Sequence, residues 1–580
     1  MKKYNIRVSI LLAFTILIPC KVLSQIDVLT KFEKSSIKGT PGYFRVGKTA
    51  EGQWWFITPE DEQFFYKGIC AVNRAGTQGG RRALPGQYAI TVDKKYNYQQ
   101  SPDSFVRACI EKLHTSGFNS LGAWATEEFY NKNVPFTEII EFFKEPPFLP
   151  SVTGNLGLPD IFDPAWEVAV DRKARALCSP LRYSKDLVGY FTDNEIGFGN
   201  ADDFGLDPGF QGGQFDFALL RLVLGMDTGK PAFEYAWNFL LNRHGGSFER
   251  LSDAWGVKIT SREDIRKLNN SKTIFPGSAY SDDAQAFVQI YAERYFELAN
   301  KTIKRYDPNH LILGCRFGGP PPTYVLDAIK PWTDVISANN YQPILYERYD
   351  TVYQYSGIPI LIGEFSWNTD IFKAIPFPGE TLQNLSVKER MFRRGKATLA
   401  RTAMHEGIVG YTWYRWVAPA STENAFMSGI VNYEDNPDMH VTELQALNPE
   451  LDKIRMKAVS DNWKISPIKN GEMTLFFSEL KPNWNLYLRM SFKEGKPEIV
   501  VNGWKMKGKV LKFSNIQNVI YVKHEVIFED VTIAGKRIEG EKGIYEIKLN
   551  RAKEKFYGNF SGNYNGKNMT GTVKAFYFPE

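Results

Sequence analysis

Two short apolar runs in this chain stop on a glutamate. Leu187-Val188-Gly189-Tyr190-Phe191 leads through Thr192-Asp193-Asn194 to Glu195, and Pro359-Ile360-Leu361-Ile362-Gly363 leads to Glu364. Runs this short and this apolar are expected of parallel strands covered on both faces. Parallel strands need helical crossovers, and the sequence supplies them. "FVRACIEKLHTSGFNSLGAW" is an amphipathic helix, a Gly117 stop and a strand over 118–124. "FDPAWEVAVDRKARAL" opens with Asp163 as cap and Pro164 at the first helical position. Phe287, Ile290, Tyr291, Tyr295 and Leu298 share one helical face ahead of the buried strand in "HLILGCRF". Further strands are expected over 66–72, 335–340, 358–364 and 407–413.

About eight such strands favour a closed (β/α)8 TIM barrel of the α/β class over an open sheet. No GxGxxG follows the first strand, which argues against a dinucleotide-binding oxidoreductase. Residues 25–60 alternate polar and apolar around Glu51-Gly52 and Pro59-Glu60, a short N-terminal β segment. The barrel is then expected over 61–457. From 458 to 580 strand-like stretches separated by turn residues replace helical periodicity, so an all-β module, a sandwich or small barrel, closes the chain. The stretch between Gly197 and Ser281 is long for one crossover and reads as an elaborated loop with helices around Gly245-Gly246.

Residues 1–24 read as a secretory signal: Lys2, Lys3 and Arg7 precede an apolar run, and Val22 and Ser24 precede the expected cut. Export to the periplasm or the extracellular space follows. The run is too short to span a bilayer, and Pro19 before Cys20 fits a lipoprotein signal poorly. The formal net charge of +6 includes Lys2, Lys3, Arg7 and Lys21, which leaves +2 on the mature chain. That sum argues for neither nucleic acid nor an acidic substrate. Cys70, Cys109, Cys178 and Cys315 form no CxxC or CxxH pair and read as buried free thiols; neither a metal nor a cofactor is expected.

Strand C-termini converge on one face of a parallel barrel. Two carboxylates there suit glycosidic cleavage, one protonating the leaving oxygen and the other attacking the anomeric carbon. Each glutamate taken singly could equally be a solvated charge at a strand end. Trp124, Trp367, Trp413 and Trp416 fall at or just after strand ends, where rings stack on sugar faces or simply pack the core. Arg316, Asn339 and Asn73 stand at similar positions, with bracing and sugar contact both open.

"GYFTDNE" resembles the acid/base motif of clan A glycoside hydrolases, and "PILIGEFSW" their nucleophile motif. The resemblance implies Glu195 as acid/base, Glu364 as nucleophile and Asn194 on the sugar 2-hydroxyl. It also implies Tyr341 in "SANNYQP" touching the nucleophile and Trp413 in "GYTWYRW" flooring the sugar subsite. Within the clan the chain is most similar to glycoside hydrolase family 50, the β-agarases. "WWFITPEDEQFFYKGICAVN", "IFDPAWEVAV", "FLLNRHGGSFERLSDAWG" and "GIVNYEDNP" also carry that likeness. It implies a retaining hydrolase of β-linked galactose polymers or oligomers, with agarose, porphyran, carrageenan and other β-galactosides all open. A C-terminal β-module is not expected of the family, nor is there room ahead of the barrel for a large carbohydrate-binding domain. A transglycosylase with the same residues and a non-catalytic glycan-binding barrel are the competing expectations.

Overall fold

The computed structural model describes residues 31–78, 86–150, 158–198, 218–271, 273–341, 345–367, 386–418 and 428–458. In the C-terminal part it describes 468–477, 487–502, 506–516, 519–528, 531–533, 536–538, 542–552, 555–564 and 566–579. The expected signal segment lies outside the described residues, as does part of the elaborated loop. Among the described residues no helix is long and apolar enough to cross a membrane.

Strands β1 (Arg45–Lys48), β2 (Trp54–Ile57) and β3 (Gln63–Phe64) form a small antiparallel sheet. The chain then enters the barrel. Its strands are β4 (Tyr66–Ile69), β5 (Ser120–Leu121), β6 (Phe136–Ile139), β7 (Leu187–Phe191), β8 (Leu311–Ile312), β9 (Ile336–Asn339), β10 (Ile360–Phe365) and β11 (Ile408–Trp413). Every pairing between them is parallel, and β4 lies between β5 and β11. β8 and β9 close the ring beyond the end of β8: Phe317 bridges Ala338 in parallel, and the Phe317 N–H donates to Ser337 O at 3.0 Å. The expected (β/α)8 barrel is therefore what the chain builds.

β6 has no counterpart among the strands expected from sequence. Its four residues follow Pro135 and include Thr137 and Glu138, so it shows no apolar run. Both polar side chains are buried, and Tyr130 OH donates to Glu138 Oε2. The helix Val441–Ala458 is also unheralded, because Pro449 interrupts its pattern. It nonetheless closes the base of the barrel. Lys67 Nζ donates to Asn448 O at 3.1 Å, Tyr411 OH to Asn448 Oδ1 at 2.5 Å, and Arg455 Nη1 to Ala403 O and His405 O at 2.8 Å each. The helix Pro164–Cys178 starts as read, with the Ala165 N–H donating to Asp163 Oδ1 at 2.8 Å. All four described cysteines are buried and free.

The last β-module is an eight-stranded antiparallel barrel, which decides between the two architectures expected of it. Its final strand, Lys567–Pro579, returns to pair with its first, Gly471–Phe477. Met473, Leu475, Met490, Phe492, Val522, Ile547, Leu549 and Val573 fill the interior. A barrel of eight strands is just wide enough for side chains to fill it. The strand Met506–Ile516 escaped the sequence reading, since its lysines blur the alternation. Lys574 Nζ ties this barrel to the first, 3.0 Å from Asp350 Oδ2 and 2.9 Å from Thr351 Oγ1.

Asp435 is the most heavily used anchor beneath the loop that follows β11. Its buried carboxylate receives Lys95 Nζ at 2.8 Å, Lys112 Nζ at 2.5 Å, Tyr96 OH at 2.5 Å and Tyr88 OH at 3.0 Å. Tyr88 OH in turn accepts from Trp416 Nε1 at 2.9 Å. Asp435→Ala removes the shared acceptor of two lysines and two tyrosine hydroxyls; the lysines stay partly open to water, so the cost is about 1–3 kcal/mol. Urea unfolding should show a loss of that order, and a loss below about 1 kcal/mol would contradict this role for Asp435.

Candidate active site

The site sits where the barrel strands end. Five consecutive strands, β4 to β8, are each followed shortly by a non-glycine residue in the left-handed region. These are Ala71 (φ 58°), Trp124 (64°), Glu141 (62°), Glu195 (54°) and Arg316 (49°). Left-handed backbone is uncommon for such residues and is found at sites that fix a side chain's aim. Here it turns the chain sharply at the strand end, so that residues from different strands meet.

Arg316 occupies the centre of this meeting and is wholly enclosed. Its Nη1 donates to Asn194 Oδ1 at 3.0 Å and its Nη2 to Gly363 O at 2.6 Å, with Cys70 Sγ 3.4 Å away. The guanidinium carbon lies 4.3 Å from the centre of the Trp124 ring. Arg316 Nη2 is also 3.1 Å from Glu364 Oε1. That contact pairs the cation with one carboxylate oxygen, while Tyr341 OH donates to the other, Oε2, at 2.5 Å.

Glu364, on β10, the seventh barrel strand, is 4% exposed. Burial pushes its carboxyl above the usual carboxylate range; Arg316 and the Tyr341 hydroxyl pull it back, and the nearby charge of Glu195 adds to the rise. Glu195 follows β7, the fourth strand, and is solvent-exposed. Asn339, on β9 beside Glu364, reaches the segment after β7, its Nδ2 donating to Glu195 Oε1 at 3.0 Å and to Asn194 Oδ1 at 3.1 Å. The glycine before the buried carboxylate is required by packing. A Cβ on Gly363 would lie 2.6 Å from Asn339 Oδ1 and 3.1 Å from Arg316 Nε.

The structure thus brings Glu195, Glu364, Asn194, Arg316, Asn339, Tyr341 and Trp124 together. The other expected residues stand further back. Asn73 is buried and braces the neighbouring backbone, donating to Trp124 O at 2.8 Å and Thr77 O at 2.9 Å. Trp413 is fully buried on β11, its Nε1 donating to Ser428 O at 2.9 Å, and packs edge-on against Trp367 with ring centres 5.5 Å apart. Trp367 and Trp416 are equally enclosed. As they stand, all three rings are core side chains. Tyr414, which the sequence reading passed over, meets the Trp124 ring edge-on at 6.3 Å and feels the charge of Glu364.

Asp193 was also passed over, although it directly precedes the Asn-Glu pair. It is buried, with both carboxylate oxygens 3.1 Å from the Phe143 N–H, and Tyr295 OH donates to Oδ2. Burial pushes its carboxyl up to about 8. The signal was an ionisable residue at the end of an apolar strand. Among the described residues no three His, Cys, Asp or Glu side chains cluster as a metal site would need.

Since folding favours protonated Asp193, its contribution to stability is greatest below pH ~4 and falls as pH rises to about 8. Asp193→Asn should flatten that slope. Thermal melts across pH 4–8 are expected to show the variant gaining on the parent as pH rises; parallel curves would refute the assignment.

No known family model matches the chain. It is similar to β-agarase B of Vibrio sp. (strain JT0107), 25% identical over 385 residues covering 64% of this chain and 39% of that protein. It is also similar to β-agarase A of the same strain, 23% identical over 466 residues, 70% of this chain and 45% of the relative. The chain therefore spans less than half the length of these curated relatives. Among solved structures, an exo-β-agarase superposes with TM-score 0.59 at 20% identity, covering 73% of this chain and 67% of the other. The structure of PfGH50B gives 0.57 at 20% identity, with the same coverage of 73% and 67%. The agarase AgWH50C gives 0.55 at 20% identity, covering 74% and 69%. Sequence and fold together assign the barrel as one like those of glycoside hydrolase family 50.

Proposed function

We propose that the chain is an exported, retaining glycoside hydrolase that acts on β-linked galactose polymers, with agarose as first candidate. The observation that carries this reading is the unequal treatment of two carboxylates at one barrel mouth. Glu364 is buried, with the Tyr341 hydroxyl on Oε2 and the Arg316 guanidinium 3.1 Å from Oε1. Glu195 is open to solvent, and its Oε1 accepts from Asn339 Nδ2 at 3.0 Å. Paired carboxyl groups in unlike environments are how one site supplies both a nucleophile and a proton donor.

In the first step a Glu364 carboxylate oxygen bonds to the anomeric carbon as the glycosidic C–O bond breaks, and the Glu195 proton goes to the departing oxygen. In the second, Glu195 takes a proton from water, the water oxygen attacks the anomeric carbon, and Glu364 leaves as carboxylate. Arg316 stabilises the Glu364 carboxylate and holds Asn194 where a sugar hydroxyl would reach it. The reaction needs no cofactor. Similarity to proteins named β-agarases supports the choice of polymer; porphyran and carrageenan are the next to try.

Glu364→Gln should lower turnover of agarose by roughly a thousandfold or more, while oligosaccharide binding measured by calorimetry survives. Undiminished turnover would remove Glu364 from the mechanism. The first product seen by NMR should carry the β configuration, and an α first product would sink the retaining assignment. Because Arg316 lowers the Glu364 pKa, Arg316→Met should move the acidic limb of the kcat/KM profile to higher pH. An unmoved limb would show that the guanidinium does not act on the nucleophile.

A further inference from the structure

Tyr414 stands immediately after β11, where its N–H donates to Phe365 O at 2.9 Å. That bond sets it beside Glu364, one residue away on the neighbouring strand. Its ring meets the Trp124 ring edge-on at 6.3 Å, and Trp124 in turn lies 4.3 Å from the Arg316 guanidinium carbon. Tyr414 therefore belongs to the cluster that holds the buried carboxylate. Unlike Trp367, Trp413 and Trp416, which are fully enclosed, it keeps 9% of its surface open.

An account of the polar atoms on the surrounding rings separates Tyr414 from the rest. Trp124 Nε1 donates to Glu141 Oε1 at 3.4 Å, and Tyr341 OH to Glu364 Oε2 at 2.5 Å. Trp413 Nε1 is taken by Ser428 O and Trp416 Nε1 by Tyr88 OH, each at 2.9 Å. Trp367 Nε1 is sealed inside the core. The Tyr414 hydroxyl is spent on none of these. Among the described residues its one polar side-chain neighbour at bonding range is Arg415, whose guanidinium carbon lies 5.7 Å from the Tyr414 ring centre. Arg415 Nε donates to Val417 O at 2.7 Å, which anchors that side chain.

Arginine can donate hydrogen bonds but never accept them. Arg415 can therefore serve the phenol oxygen, yet it leaves the phenol proton without an acceptor. Glu364 is near enough for its charge to raise the Tyr414 pKa, after the larger effects of burial and of Arg415, which act in opposite directions. Its two oxygens are already engaged by Tyr341 and Arg316. The proton on Tyr414 thus has its natural acceptor in a ligand rather than in the protein.

We propose that Tyr414 is a substrate-binding residue, donating its hydroxyl proton to an oxygen of the sugar whose anomeric carbon Glu364 attacks, while Arg415 braces the phenol oxygen from the other side. The inference rests on the reading of the barrel mouth as a sugar site. A site built to donate to a sugar oxygen discriminates against a sugar that lacks it, so Tyr414 contributes to specificity as well as to affinity.

The test uses the full chain. Calorimetry on Glu364→Gln, with and without Tyr414→Phe, compares binding of agarose, porphyran and carrageenan oligosaccharides. Phenylalanine keeps the ring against Trp124 and removes only the hydroxyl. Binding of the tightest oligosaccharide should weaken about fivefold, the scale of one lost hydrogen bond. With Glu364 intact, Tyr414→Phe should lower kcat/KM on the parent polymer by at least that factor. The thermal melt and the acidic limb of the pH profile should both stay where they are. Binding altered by less than about twofold would leave the hydroxyl without a ligand and overturn the proposal. So would a clearly lowered melt, which would put the acceptor inside the protein, or a moved acidic limb, which would make Tyr414 a partner of Glu364. Binding without hydrolysis of any of these polymers by the unaltered chain would sink the catalytic reading alone, and absence of all binding would sink this inference with it.

Discussion

A guanidinium shut away from water governs the arrangement of this molecule's barrel mouth. Desolvating a cation costs several kcal/mol unless its protons find acceptors and its charge finds a counter-charge. Arg316 meets that cost with Asn194 Oδ1, Gly363 O and the Glu364 carboxylate, drawn from the fourth and seventh strands, and with the face of Trp124 from the second. Among the described residues its Nε finds no partner. The tight approach of Gly363 follows from the same packing. So does the restraint on Glu364, whose burial would otherwise favour the neutral acid still more strongly. Moving any of these groups leaves either a buried cation or a buried anion uncompensated.

Much of this was legible beforehand, for identifiable reasons. Apolar runs ending at Glu195 and Glu364 announce buried parallel strands, and their order around the ring follows from chain order. Asn194, Tyr341 and Arg316 occupy strand ends, so closing the ring brings them together. What stayed hidden depends on tertiary context. β6 buries Thr137 and Glu138 against Tyr130, and no pattern of hydropathy discloses a polar strand satisfied by a distant hydroxyl. The helix Val441–Ala458 packs Leu444 and Leu451 on the core, and Asn448 and Arg455 on the same face reach into the barrel base, so polar residues interrupt its apolar stripe. Trp413, Trp416 and Trp367 show the converse case: strand-end position says nothing about whether a ring faces solvent or a neighbouring ring.

The two barrels obey different rules of assembly. The first relies on helical crossovers to cover its strands, and it buries polar and charged side chains such as Glu138, Arg316 and Arg455. The second closes an antiparallel sheet on itself, with an interior filled mainly by aliphatic and aromatic side chains and its charges displayed outside. Lys574 meets Asp350 where the two surfaces touch.

The left-handed turns after β4 to β8 have a consequence for how this barrel can vary. At Trp124, Glu195 and Arg316 the backbone would be more comfortable with glycine, while the contacts at the barrel mouth use a large side chain. Each position therefore holds conformational tension of about 1 kcal/mol or more. Stabilising selection alone would erode these residues, so their persistence in a lineage would itself be a record of selection for what the mouth does. Drift toward glycine there would mark a barrel that had been released from that work.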